Sequence, residues 1–281
     1  MNQPIRDDLT APPALPLDKA RRLAVAIGPS LLPWLLPLVL LLAWQTAASS
    51  GWLSARMLPA PFAVVAAAWS LASSGELWMH VRVSALRALI GLAIGGTTGL
   101  ALGLLTGSLG LAERLLDTSV QMLRTIPALA LVPLVILWVG VGETAKLLLI
   151  AISVFFPIYL NTFHGLRNVD PQLIEMGRSY GLSPWQLYRD VILPGALPSI
   201  LIGLRFALGL MWVVLIVAET ISSQAGIGYL TMNAREFLQT DIVLLGIVLY
   251  ALLGKLADGL ARRLEQHWLR WHPGYQTQAT A

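Results

Sequence analysis

The chain has 281 residues, of which 56% are hydrophobic and 12% are charged, and its mean hydropathy is +0.71. Soluble domains carry about 25% charged residues, so this chain has too few charges to cover a surface that faces water. The composition therefore argues against a soluble enzyme and a disordered protein. The net charge is +4, but the basic residues are scattered between apolar blocks, which argues against a nucleic-acid partner. Since cysteine is absent, there is no disulfide or cysteine-ligated metal site.

A membrane-spanning helix needs about 20 mostly apolar residues, and six stretches of this sequence meet that requirement. The predicted spans are Leu31–Ala48, Ala88–Leu109, Ser119–Val139, Ala145–Phe163, Leu197–Ile221 and Ile242–Leu260. Prolines inside the third and fourth spans do not exclude helices, because neighbouring helices can satisfy the freed carbonyl groups. We therefore expect an all-α integral membrane protein with about six transmembrane helices.

The segment Pro61–Ser73 is apolar but too short to cross a membrane. We expect a helix that lies on the outer surface or packs against the bundle. A seventh span is the alternative.

The distribution of Lys and Arg predicts the orientation. Most of them fall in segments that lie inside the cell when the N-terminus is cytoplasmic, which places both termini in the cytoplasm. The pair Arg21–Arg22 before an apolar stretch also occurs in signal peptides, but we expect an uncleaved first helix because more spans follow. The predicted organisation is a cytoplasmic tail (1–30), a first transmembrane helix (31–50), a periplasmic segment (51–80), the remaining spans, and a C-terminal cytoplasmic tail (266–281).

Glycine recurs at every fourth position of the second span, at Gly91, Gly95, Gly99, Gly103 and Gly107. Such a ridge of small residues lets another helix approach closely in lipid. The sequence leaves two interpretations open, packing within one subunit and a dimer or gating contact.

Charges inside spans are costly and often functional. Arg124, Arg205 and Glu219 are the candidates for lining a translocation pathway, where the two arginines would attract an anion. Structural roles are the alternative. The arginines could snorkel or pair with a carbonyl or carboxylate group, and Glu219 could cap a helix or pair with Arg235 or Lys146.

The sequence contains no motif for catalysis or for holding a metal ion. HExxH and GxSxG are absent, and the pair Gly254-Lys255 lacks the upstream glycine of a phosphate-binding loop. Lys255 and Asp258, three residues apart, are expected to form a local ion pair. A transporter driven by an ion gradient is the alternative of another class, but the midplane ionisable residues that it would need are missing.

The longest inner loop, His164–Gly195, carries strong helix signals. Asp170 followed by Pro171 predicts a helix start, with the helix reaching about Tyr180. Gly181 suits the left-handed position that ends a helix.

A second short helix is predicted after Gly181. Ser183-Pro184-Trp185-Gln186 is typical of a capping box, and the helix should run to about Ile192, where Pro194 obstructs its continuation before the chain re-enters the membrane at Leu197. The side chains expected to be exposed on the two helices are Met176, Tyr180, Trp185, Leu187 and Tyr188. Aromatic and Met residues among charges favour a protein interface, and an amphipathic connector on the bilayer surface is the alternative.

The same loop carries a family resemblance. Glu175-Met176-Gly177, then Gly181, then Val191 to Pro194 resemble the EAA signature of ABC importer permeases at every spacing. The departures are Met176 and Gly177 for two alanines and Val191 for isoleucine. The resemblance covers roughly residues 75–265, and this segment is similar to the type I, MetI-like permease domain.

Longer strings resemble the aliphatic sulfonate permeases, in the branch that also holds taurine, nitrate and thiamine-precursor permeases. These strings are Glu113–Asp117, Gln121–Arg124, Phe156–Thr162, His164–Asn168, Arg205–Trp212, Val217–Ile221, Gly226–Leu230 and Asn233–Phe237.

The resemblance implies an assembly in the bacterial inner membrane. Two copies of the permease would form the channel, two ATPase subunits would bind ATP and Mg in the cytoplasm, and a periplasmic binding protein would deliver substrate. The chain itself would bind no cofactor and would not be an enzyme. Its cargo would be a small anion, most simply an aliphatic sulfonate, with taurine, nitrate or a thiamine precursor as alternatives.

The resemblance also assigns roles inside the loop 164–196. Glu175 would meet a basic group on the ATPase, Gly181 would give the bend, and Pro194 would fix the exit into the fifth span. The other residues of the expected ATPase-coupling interface are Met176, Gly177, Trp185 and Leu193.

Overall fold

The computed structural model describes residues 34–54 and 56–272, and all regular structure within those ranges is helical. The chain divides into an N-terminal unit, Met1–Phe62, and a main unit, Ala63–Ala281. In the N-terminal unit, the apolar helix α1 covers Trp34–Ser49. Residues 31–33, where the first predicted span begins, and the predicted tail 1–30 lie outside the described residues, so those two assignments stay predictions.

Helix α2, Pro61–Ser73, has 13 residues. Its Val64 is buried with Leu77, Leu230 and Leu245 of the main unit. At about 1.5 Å per residue the helix is too short to cross a bilayer. The expectation that this segment packs against the bundle is confirmed, and the alternative of a seventh span is wrong.

Four helices are long and apolar enough to cross a membrane. Two of them are α3 (Glu76–Ser108) and α7 (Glu143–Arg167). The third is the continuous path Pro184–Ile221, and the fourth is α12 (Thr240–Trp268). They correspond to the second, fourth, fifth and sixth predicted spans.

The third predicted span is broken. The observed segment starts at Gly110, before the predicted start at Ser119. Its first half, Gly110–Arg124, contains α4 (Gly110–Ala112), a π turn and α5 (Thr118–Arg124), and its second half, Ala128–Val139, ends with α6 (Val132–Val139). The two halves meet at an angle of 86°. Neither half is long enough to be a span by itself, and the two together make at most one broken span. The prediction of one continuous helix is wrong because Pro127 lacks an N–H group and sits directly at the break.

Helix α3 begins at Glu76, well before the predicted start of the second span at Ala88. The first of the additional residues, 76–80, lie in the predicted periplasmic segment 51–80, and the others, 81–87, lie between that segment and the predicted span. They contain His80 and Arg87, which lower the local hydropathy but are buried and hydrogen-bonded. Because these polar groups are satisfied inside the protein, the helix continues through them.

The glycine ridge of α3 packs against α7 within the same subunit. An added Cβ at Gly95 would clash with the backbone of Ala151, and one at Gly99 would lie 2.7 Å from the carbonyl oxygen of Phe155. Gly103 faces Thr162 in the same way. The interpretation as intramolecular packing is therefore confirmed for these glycines, which allow the two backbones to approach closely.

The helix after the loop does not stop at Pro194. Helix α8 covers Pro171–Ser179 and α9 covers Pro184–Leu187, and a π turn, Tyr188–Ile192, then leads directly into α10, Leu193–Ser222. The Leu193 N–H bonds to the Tyr188 carbonyl group five residues back. This wider turn accommodates the proline at the start of α10, so the predicted interruption is wrong.

Helix α10 occupies the centre of the main unit. Its buried residues Met211 and Leu215 share one core with Ile150 and Val154 of α7 and with Ile227 at the start of α11, Ile227–Glu236. Helix α10 therefore connects the two-helix loop at its N-terminal end to α11 at its C-terminal end through one rigid element.

Candidate functional site

The two-helix loop, residues 168–192, has the local structure that its sequence predicts. The Asp170 carboxylate accepts a hydrogen bond from the Gln172 N–H at 2.9 Å, which caps α8. After α8, Gly181 has φ 78°, a left-handed conformation that favours glycine. The predicted helix start and the predicted stop are both confirmed.

A complete capping box starts α9. The Gln186 N–H donates to Ser183 Oγ at 3.4 Å, and the Ser183 N–H donates to Gln186 Oε1 at 2.9 Å. Pro184 occupies the first turn. Both orphan N–H groups are satisfied locally, so this helix start is well fixed.

Helices α8 and α9 are packed against each other through Gly177. An added Cβ at Gly177 would lie 2.7 Å from Leu187 Cδ1, so the leucine occupies the space beside the glycine. Leu187 is consequently buried, and the prediction that it is exposed is wrong. This contact fixes the angle between the two short helices.

The outer face of the two-helix loop is rich in exposed large side chains. Tyr180 is 81% exposed, Trp185 67% and Met176 50%. Glu175 is exposed beside them, and within residues 34–54 and 56–272 its carboxylate has no hydrogen-bond or ion-pair partner. Tyr188 is half-buried, with its ring stacked on Trp185 at 6.1 Å. Exposed aromatic and Met residues around an unpaired charge are typical of a protein interface.

Arg124, the first of the three predicted pathway residues, lines a cavity of about 420 Å³ at the break in the third span. Apolar side chains from α7 and α10, among them Phe156, Leu160 and Phe206, form most of the wall. Within the described ranges, no group accepts a hydrogen bond from the Arg124 guanidinium. The other lining residues were not predicted from the sequence, because they lie on three segments that come together through the bend at Pro127 and the packing of α7 against α10.

Arg205, the second, is paired. Its Nε donates to Asp258 at 2.7 Å, and its Nη1 lies 3.7 Å from Glu265. Asp258 also accepts from Arg262 at 2.9 Å. The expected ion pair between Lys255 and Asp258 is therefore wrong, because Asp258 faces the cation on α10 and Lys255 is exposed.

Glu219, the third, is fully buried in a polar cluster. Its carboxylate accepts hydrogen bonds from Arg87 Nη1 at 2.8 Å, from Ser84 Oγ at 2.7 Å and from Tyr250 OH at 3.0 Å. The Gly228 N–H, in the first turn of α11, also donates to it at 2.8 Å. The predicted capping role is thus confirmed.

The predicted partners of Glu219, however, are wrong. Lys146 pairs with Glu143 at 2.9 Å, and Arg87 pairs with the same carboxylate through Nε and Nη2, both at 2.6 Å. Arg235 contacts Met232. Arg87 is the true partner because the extended α3 brings it beside the end of α10.

The sequence matches a known protein family over much of its length. The model described as "Binding-protein-dependent transport system inner membrane component" matches residues 99–270, more than half of the chain. The chain belongs to this family. As a member of it, the chain is an inner membrane component of a transport system, which agrees with its several apolar helices of spanning length.

Two relatives carry the name "Putative aliphatic sulfonates transport permease protein SsuC". The one from Escherichia coli is 63% identical over 243 residues, which cover 86% of this chain and 92% of that protein. The one from Bacillus subtilis is 46% identical over 242 residues, which cover 86% and 88%.

One solved structure, entitled "Crystal structure of an amino acid ABC transporter with histidines", has the same fold. It matches with a TM-score of 0.54 at 19% identity and covers 69% of this chain and 96% of that one.

Proposed function

We propose that this chain is the membrane-spanning permease subunit of an ABC importer for aliphatic sulfonates. The observation that carries the proposal is the 63% identity to the Escherichia coli relative of that name, which extends over nearly the whole of both proteins.

In the proposed assembly, different subunits bind ATP and form the path of the substrate. Two copies of this chain form the channel, two ATPase subunits bind ATP and Mg, and a periplasmic binding protein delivers the substrate. The chain has no nucleotide-binding motif, and among the described residues no group of three or more His, Asp or Glu residues could hold a metal ion. These features support a translocator that obtains its energy from a partner.

The two-helix loop is the proposed contact with the ATPase. Its exposed Glu175, Met176 and Trp185 form the docking face, while Gly177 and Gly181 set the shape behind it. Leu193 and Pro194, both half-buried, begin α10 directly after the loop. Since the path from Pro184 to Ile221 is one helix, a push on the loop would move α10 as a unit, which a flexible linker would absorb.

The proposed orientation places the two-helix loop and both termini in the cytoplasm. Arg167, Arg178 and Arg189 lie at the end of α7 or within the loop, and an excess of basic residues marks cytoplasmic segments. Helix α11 and the Glu219 cluster then lie at the periplasmic end of α10.

Growth on defined sulfur sources tests the proposed substrate. In a strain that lacks its own sulfonate and taurine importers, this permease, expressed with its ATPase and binding protein, should restore growth on ethanesulfonate as the sole sulfur source. Omitting the permease should abolish that growth, and sulfate should support growth in every strain. Restored growth on taurine or uptake of nitrate, without growth on ethanesulfonate, would contradict the proposal.

A further inference from the structure

Arg124 is exposed beside the break in the third span, and its guanidinium has no counterion among the described residues. Arg124 ends α5, where the third span breaks, and no carboxylate or carbonyl group of residues 34–54 or 56–272 accepts from it. Because its N–H groups have no acceptor among the described residues and are accessible, the guanidinium is available to an anionic ligand in the cavity that it lines.

The cavity beside Arg124 is suited to an apolar body. Of its polar lining residues, Ser153 donates its hydroxyl proton to the Ile150 carbonyl group at 2.7 Å, and Asn161 donates to the Pro157 carbonyl group at 2.8 Å. These two groups are largely occupied inside the protein. The rest of the wall is mainly apolar, and a mostly apolar pocket with few convergent polar groups is typical of a small-molecule site.

A neighbouring cavity provides an internal comparison. It also measures about 420 Å³, contains Arg205, and shares Phe206 and Leu210 with the first cavity. There, however, Asp258 is part of the lining and neutralises the arginine at 2.7 Å. Of these two cavities, only the one at Arg124 combines an uncompensated cation with an apolar wall.

We propose that the Arg124 cavity is a binding site for the aliphatic sulfonate during passage. Two oxygens of the sulfonate group accept hydrogen bonds from the Arg124 guanidinium, because the planar guanidinium presents two parallel N–H groups to an oxyanion. The alkyl chain lies against Phe206, Leu210 and Val213. This inference rests on the proposed function and adds to it a residue-level site within the permease.

Chain-length dependence follows from this geometry. Each additional CH₂ group that is buried in the apolar wall should tighten binding about fourfold until the cavity is filled. An anionic lipid also carries an acidic head group on an aliphatic chain and could bind in the same way. The experiment therefore has to distinguish binding of the sulfonate from binding of lipid.

Equilibrium binding to the purified permease–ATPase complex tests the site. The complex is placed in phosphatidylcholine nanodiscs without binding protein, and the dissociation constants of ethane-, butane- and hexanesulfonate are measured by calorimetry. We expect affinity to rise with chain length. We expect Arg124→Gln to weaken all three at least tenfold while leaving 1-hexanol binding unchanged, and Arg124→Lys to recover part of the loss. Lys255→Gln, which removes an exposed cation outside both cavities, is the matched control.

The outcomes separate this inference from the proposed function. If the wild-type complex binds hexanesulfonate no more tightly than Arg124→Gln does, the site is wrong, even where growth on ethanesulfonate shows that the permease function is right. If nanodiscs containing phosphatidylglycerol displace the sulfonate, the site belongs to lipid and the inference is likewise overturned. Binding that persists in that lipid supports it.

Discussion

At the scale of single residues, Glu219 shows how a charge is kept inside an apolar bundle. Four donors from α3, α11 and α12 satisfy its carboxylate, and Arg87 supplies the compensating charge. Arg87 in turn donates to the Ala225 carbonyl group at 2.6 Å. The cluster therefore ties the connection between α10 and α11 to α3.

Removing the charge of Glu219 should destabilise the fold. Glu219→Gln keeps the shape but leaves Arg87 with only Glu143 as its counterion. The substitution weakens the charge-assisted hydrogen bonds of the cluster, and a hydrogen bond to a charged group contributes about 1.5–3 kcal/mol. We expect a clearly lower melting temperature of the detergent-solubilised protein, measured by scanning fluorimetry, and a near-wild-type value for Glu236→Gln at the exposed end of α11. Equal melting temperatures would contradict this role.

The sequence predicted some of these residue roles and missed others for a physical reason. Helix caps are local, so Asp170, Gly181 and Ser183 could be assigned from their immediate neighbours. The pairing of Arg87 with Glu219 joins residues 132 positions apart. Such a pair depends on helix packing, which no local pattern reports.

At the scale of elements, the α3–α7 contact is the most extensive contact between two helices among the described residues. Gly91, Gly95, Gly99, Gly103 and Gly107 all face α7. The sequence showed the ridge, but its partner could be assigned only once α7 was placed beside it. The bend at Pro127 was missed in a similar way, because hydropathy alone does not distinguish one span from two half-helices.

Two adjacent glycines provide a matched test of that contact. In Gly95→Ala the new methyl group clashes with the backbone of Ala151, so the helices must separate, and overpacking of this kind costs about 1–3 kcal/mol. In Gly96→Ala the nearest atom is Ile158 Cδ1 at 3.3 Å, the movable end of a side chain. We expect a lower melting temperature and a lower yield of folded protein for Gly95→Ala only. Equal effects of both substitutions would show that the ridge does not set the helix spacing.

At the scale of the whole molecule, the proposed function makes this chain a channel subunit that a separate ATPase would drive. The two-helix loop presents a rigid face with an unpaired carboxylate, and one helical path connects that face to the centre of the bundle. The sequence and its family resemblance predicted the loop and its function class. The continuous helix from the loop into α10 was not predicted. A proline normally interrupts a helix, and nothing in the sequence indicated the π turn that accommodates Pro194.

Reconstituted transport tests this account most directly. Proteoliposomes contain the permease and its ATPase, with ATP on the ATPase side and binding protein and labelled ethanesulfonate on the other. We expect ATP-dependent accumulation, none with the permease alone, and at least a tenfold loss of both uptake and ATPase docking in Glu175→Ala, since a charge-assisted bond contributes about 1.5–3 kcal/mol. Glu236→Ala should behave as wild type. Accumulation against a gradient by the permease alone, or full uptake by Glu175→Ala, would contradict the account.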